Sequence, residues 1–185
     1  LTVLAVARGG IGVQRPFGGG WDVARLVLAA VLLLASIAWI LADVGVEAED
    51  VPGLGWIFMS GEVVPEPGHP ELIAVHLGHH HGMDGTLLAL AALGLSRAVP
   101  DVTGRVLRPM LRFYLALMLV YGIANALQDF WLEQLVKRGA TSHRIPTLTQ
   151  PDLSPAWAAI LAAALLIHFV ARRVGSVGGR QEGVP

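Results

Sequence analysis

Four stretches of the chain are apolar for long enough, or almost long enough, to leave water. The first runs from about Trp21 to Asp43 through the uncharged segment LVLAAVLLLASIAWILA. A helix crossing lipid needs about 20 such residues, and this run supplies them. The third covers about Met110 to Trp131, with Arg108 and Arg112 at one end, and the fourth starts at Pro155 and meets Arg172 and Arg173. Proline suits a first helical turn, where its missing amide has no intrahelical partner.

The second stretch is too short alone. Its clean apolar part, Thr86 to Val99, has 14 residues and reaches about 21 Å at 1.5 Å per residue, against about 30 Å of hydrocarbon. Such a helix has to extend backward through His76–Asp84 to a start near Pro70, while Pro100 limits the other end. The pattern thus predicts an all-α fold, an integral membrane four-helix bundle. Its spans are expected at about 21–43, 70–99, 110–131 and 155–171, in one domain covering 1–185. An outer loop at 44–69 and a mobile, glycine-rich tail at 174–185 complete it.

Composition agrees with lipid as the solvent. Of 185 residues, 54% are hydrophobic and 15% charged, where soluble domains carry roughly 25% charge. Leu1 to Gly20 holds Arg8 and Arg15 but no long apolar core; the first long apolar run, Leu26 to Leu41, is followed by no convincing small-residue cleavage site and reads as a retained helix rather than a signal peptide. Net charge is −1, which suggests no nucleic-acid partner. There is no cysteine. Disulfides, CxxC redox chemistry, thiolate metal sites and cysteine nucleophiles are thereby excluded.

Charge also sets the expected orientation. Arg8, Arg15, Arg25, Arg97, Arg105, Arg108, Arg112, Arg172, Arg173 and Arg180 would lie on one side, ten residues, against Lys137, Arg138 and Arg144 on the other. The positive-inside rule then predicts cytoplasmic N and C termini, with both long connections extracytoplasmic. The first of these is acidic and rich in proline and glycine. Trp39, Trp56, Trp131 and Trp157 read as interfacial anchors.

Six of the seven histidines then fall on the outer side, five of them at His69, His76, His79, His80 and His81 and the sixth at His143. In the segment HLGHHHGMDG, His76, His80 and Asp84 recur at i, i+4 and i+8 and share one helical face. Imidazole and carboxylate at that spacing suit zinc or copper, so these three are the candidate metal ligands. The third helix offers a complementary stripe, Tyr121, Asn125, Asp129 and Glu133, with Gln128 beside it. Counted from the inner ends, Asp84 matches the depth of Asn125, His80 that of Asp129 and His76 that of Glu133. His79, His81, Asn125, Asp129 and Glu133 are therefore alternate ligands or supporting groups. Ionisable groups at membrane depth are costly unless paired or wet. A blander alternative puts Asp129 and Glu133 among lipid headgroups. His168, toward the inner end of the fourth helix, reads as a packed or snorkelling residue.

His76-x-x-His79-His80 is similar to the HxxHH box of membrane di-iron hydroxylases and desaturases. The similarity covers five residues. Those families spread their histidines over several boxes on the cytoplasmic side, so no family follows from it. The leading expectation is a membrane subunit binding copper or zinc at the outer leaflet, within or serving an oxidase or monooxygenase complex. The alternatives are a structural or accessory subunit without chemistry, and a proton or ion path through Asp84, His80 and Asp129. Gly78 and Gly82 form a GxxxG pair that would admit a neighbouring membrane protein or a second copy of the chain.

Overall fold

The computed structural model describes residues 19–44, 51–52, 80–136, 139–145 and 154–178, without the side chains at 38–39, 42–43, 80–81 and 174–178. Most of the expected outer loop 44–69, the helix start near Pro70, Gly78, and the end of the tail lie outside these residues.

Among the described residues every regular element is helical. In chain order they are α1 (Gly20–Asp43), α2 (His80–Ser96), a 3-10 turn (Val99–Asp101), α3 (Leu107–Asp129) with a π-helical continuation (Phe130–Val136), and α4 (Pro155–Gly178). α1 agrees with the expected 21–43 to within a residue. α2 ends at Ser96, short of the expected 99. Arg97 and Ala98 donate to Gly94 and Leu95 in i→i+3 bonds of 3.2 and 3.0 Å, the tightening common at a helix end. α3 is longer than 110–131 at both ends. Pro109 falls in its first turn, where proline is tolerated. α4 runs past 171 to Gly178, because Arg172 and Arg173 are good helix formers. Those arginines mark where an apolar surface ends, not where the helix does.

Three of these helices carry windows long and apolar enough to cross a membrane: Gly20–Ile37, Leu107–Val136 and Pro155–Arg173. The apolar part of α2, Gly82–Ser96, is shorter. The burial pattern points the same way. Leu34 is 72% exposed and Leu166 65%, while Thr86 and Ser36 are 0% and 1% exposed. A water-soluble protein rarely leaves large contiguous apolar patches uncovered. Long apolar helices with large side chains outward and polar ones inward suggest a membrane protein.

The chain divides into two compact units. One comprises Leu1–Ala29, Leu88–Tyr121 and Leu153–Pro185. Its core gathers Val99, Val102, Leu111 and Leu115, with Leu107 and Met118 packed against them. Gly104 makes the turn into α3 at φ 122, a conformation that favours glycine. Arg108 steadies that turn by donating from Nε to the Val102 carbonyl at 2.7 Å. Tyr121 stacks on Trp157 of α4, ring centroids 5.3 Å apart and planes 13° from parallel. Trp157, expected as an interfacial anchor, is thus half-buried against a neighbouring ring.

The other unit comprises Ala30–Leu87 and Gly122–Asp152. Here α2 and α3 meet at Gly85. A Cβ on Gly85 would lie 2.6 Å from the Gly122 carbonyl oxygen and 2.8 Å from Asn125 Cβ. On α2's other flank the hydroxyls of Ser36 and Thr86 hydrogen-bond, tying α1 to α2. After the π-helix, Gly139 (φ 75) donates to Val136 at 3.0 Å and Ala140 to Leu135 at 2.9 Å, the Schellman pattern. Trp131 Nε1 donates to the His143 carbonyl at 2.9 Å and holds the connection that follows.

Candidate functional site

The polar stripe on α3 begins in sequence as a residue every fourth position. In a regular α-helix four residues overshoot one turn by about 40°, so such a stripe drifts steadily round the helix. Asn125 and Asp129 lie in α3, but Glu133 falls in the π-helical continuation. The wider i→i+5 turn rotates less per residue and offsets the drift. Asn125, Gln128, Asp129 and Glu133 are all buried, Asp129 at 6% exposure and Glu133 at 3%. Tyr121, the first member of the sequence stripe, instead stacks on Trp157.

Asp129 faces the start of α2 as described. Its Oδ2 accepts a hydrogen bond of 2.7 Å from the backbone amide of Gly82. A carboxylate on an amide near a helix N-terminus is favoured by both the bond and the helix dipole. Gln128, Asp129, Glu133 and Gln134 each engage further groups as well. Asn125, Gln128, Asp129 and Glu133 thus form a polar strip buried within the protein.

Asp84 departs from expectation. It was expected on the face of α2 toward α3, at the depth of Asn125, but Gly85 occupies the contact with Asn125 and Asp84 is exposed on another face of α2. The reason is packing. α2 approaches α3 so closely that a residue without a side chain has to occupy the contact. Gly82 is also turned inward, buried with its amide on Asp129, so the contact it makes is with its own chain. His76 and His79 lie outside the described residues, as do the side chains of His80 and His81. Among the described residues no three His, Asp or Glu side chains gather closely enough to hold a metal ion.

His168 is a packed residue, 9% exposed, edge-on to Phe113 at 6.1 Å and to Phe169 at 5.4 Å. A second polar cluster was not anticipated. Asp22 of α1 pairs with Arg25 at 3.0 Å and with Arg97 at 3.1 Å, and Arg25 Nε donates to Ser96 Oγ at 2.7 Å. Asp22 is the lone acid at the head of an apolar run bordered by arginine, and that isolation was the available signal. Ser36, alone among the aliphatic residues of α1, gave a similar hint of its bond to Thr86.

Compared with known proteins, the chain matches no family model, no curated protein and no solved structure.

Proposed function

We propose that this chain is a multi-pass membrane protein, a four-helix bundle with cytoplasmic termini, in which Asp129 and Glu133 take up a proton or a metal cation from the extracytoplasmic side. The observation that carries this reading is the burial of two carboxylates on a helix otherwise apolar enough to span lipid. An ionisable residue at such a position is costly and usually marks a relay or an ion site. The charge distribution supports the orientation: Arg25, Arg97, Arg105, Arg108, Arg112, Arg172 and Arg173 all belong to one compact unit, and Asp129 and Glu133 to the other.

The test is proton uptake by the purified full chain in liposomes under an imposed pH gradient. Asp129→Asn and Glu133→Gln should each abolish most of the uptake, whereas Asp84→Asn should leave it. Equal uptake by all four proteins would remove the relay reading.

The contact between Gly82 and Asp129 favours a second, related reading, because Gly82 directly follows the histidine-rich segment in the sequence. In it His76 and His80 ligate copper or zinc, with Asp84 as third ligand and His79, His81, Asn125, Asp129 and Glu133 as supporting groups. Such a subunit would sit within or serve a membrane oxidase or monooxygenase. A zinc ion would lie about 2.0–2.1 Å from two imidazole nitrogens. Metal analysis should then find one ion that His80→Ala removes and His168→Ala retains. Should neither metal nor proton uptake appear, the structural or accessory subunit becomes the better reading, with a lipid-facing or Gly78-bearing surface as the partner contact.

A further inference from the structure

One group of side chains in the first unit is electrostatically frustrated. Arg108 and Arg112 stand i and i+4 at the start of α3, and His168 and Arg172 stand i and i+4 on α4. The contact between Phe113 and His168 brings these two pairs together. Burial weighs most on Arg112 and His168, and like charges add to it, Arg108 and Arg172 on Arg112 and Arg112 and Arg172 on His168. Among the described residues Arg112 and Arg172 form no ion pair with an acid, and Arg108 bonds only a neutral carbonyl. The first turn of α3 contains no acidic residue. Arg108 therefore sits at the positive end of a helix dipole, where a cation is disfavoured, and Arg112 follows one turn later. His168 is buried, and its Nδ1 has no hydrogen-bond partner among the described residues.

We propose that Arg108, Arg112, Arg172 and His168 form a binding site for a phosphate-bearing anion, supplied by the headgroup of an acidic phospholipid or by free phosphate. An anion there answers every unfavourable feature at once. It neutralises the facing arginines, complements the amino end of α3, and accepts a hydrogen bond from the imidazole nitrogen. Guanidinium groups are suited to it, since their planar fork matches two phosphate oxygens. The lipid source is favoured by the neighbouring surface, where Met110, Tyr114, Leu166, Phe169 and Val170 are exposed. Acyl chains can cover such residues while the headgroup reaches the arginines. Basic pockets between membrane helices bind acidic headgroups in this manner. The site rests on the membrane reading but not on the proton or metal reading.

The full chain, purified in detergent, would be titrated with phosphatidylglycerol, with phosphatidylcholine and with inorganic phosphate, bound ligand being counted by native mass spectrometry. The wild type should retain phosphatidylglycerol over phosphatidylcholine. Arg112→Gln and Arg172→Gln should each weaken that retention by roughly fivefold, the effect of about one surface arginine. Arg112→Lys should keep most of it, which separates lost charge from lost fold, and exposed Arg144→Gln should match the wild type. Phosphate competing at equal effect supports the anion site and names free phosphate as its source. No preference of the wild type over Arg172→Gln for either anion overturns the site. Release of the wild type from membranes by alkaline carbonate would overturn the membrane reading as well; firm membrane retention without anion preference overturns the site alone.

Discussion

Gly85 and Gly94 lie on the same helix, nine residues apart, and should answer a methyl group in opposite ways. At Gly85 the added carbon would meet the Gly122 carbonyl at 2.6 Å and the Ala126 amide at 2.9 Å, both backbone atoms that cannot step aside. At Gly94 nothing lies within 4 Å. Gly85→Ala is therefore expected to destabilise the protein by about 1–3 kcal/mol through overpacking. Gly94→Ala should be neutral or stabilising by up to about 1 kcal/mol, since alanine is the better helix former. Thermal or denaturant unfolding in detergent separates the two, and equal effects would mean that α2 and α3 do not touch at Gly85. Asp84, one residue away, was the residue expected on the face toward α3. A spacing argument finds residues on one face of a helix, but which face meets a neighbour depends on that neighbour.

Helix α1 presents Leu26, Val27, Val31 and Leu34 outward while Leu32 and Ser36 are buried. In water a change at Leu34 would be a surface change, worth less than about 0.5 kcal/mol. In lipid, Leu34→Lys places a charge near the middle of a spanning helix, costing about 2.5–3.5 kcal/mol on insertion scales. A membrane-insertion assay should show a clear loss for Leu34→Lys; unimpaired insertion and stability would argue that this face meets protein or water instead. In α3 the useful lesson is the π-helical continuation. Residues four apart look aligned in the sequence, yet Asn125, Asp129 and Glu133 share the interior because the helix widens after Asp129. Hydrogen-bond register of that kind leaves no mark in composition or periodicity.

Segregation is clearest among the arginines: seven of the eight described ones share one compact unit, together with the buried Asp22, while Arg144, Asp129 and Glu133 belong to the other. With the positive-inside rule this segregation predicts cytoplasmic termini. Reporter fusions at Pro185 and within Glu62–Gly68 test it directly: the first should report cytoplasm and the second the opposite side. A cytoplasmic signal from the loop would reverse the topology and carry the histidines to the wrong face. The arginines also take part in folding. Arg25 and Arg97 converge on Asp22, so charges that a topology rule merely counts are tied into an ion-paired cluster joining α1 to the end of α2.

Long apolar runs and their bounding charges were enough to establish helices and to place three of them as long enough for a membrane, because transfer to lipid depends on local composition summed over about 20 residues. The polar stripe of α3 was legible in part, since residues four apart stay near one side over a turn or two, but its alignment as far as Glu133 depends on the π-helical continuation. Which polar groups meet was settled by tertiary contacts. Gly85 facing Gly122, Gly82 on Asp129, Ser36 on Thr86 and Asp22 on Arg97 each join residues 37 or more positions apart in the chain. Close approach of backbones decides such pairings, and a glycine permits that approach without announcing which neighbour will make it.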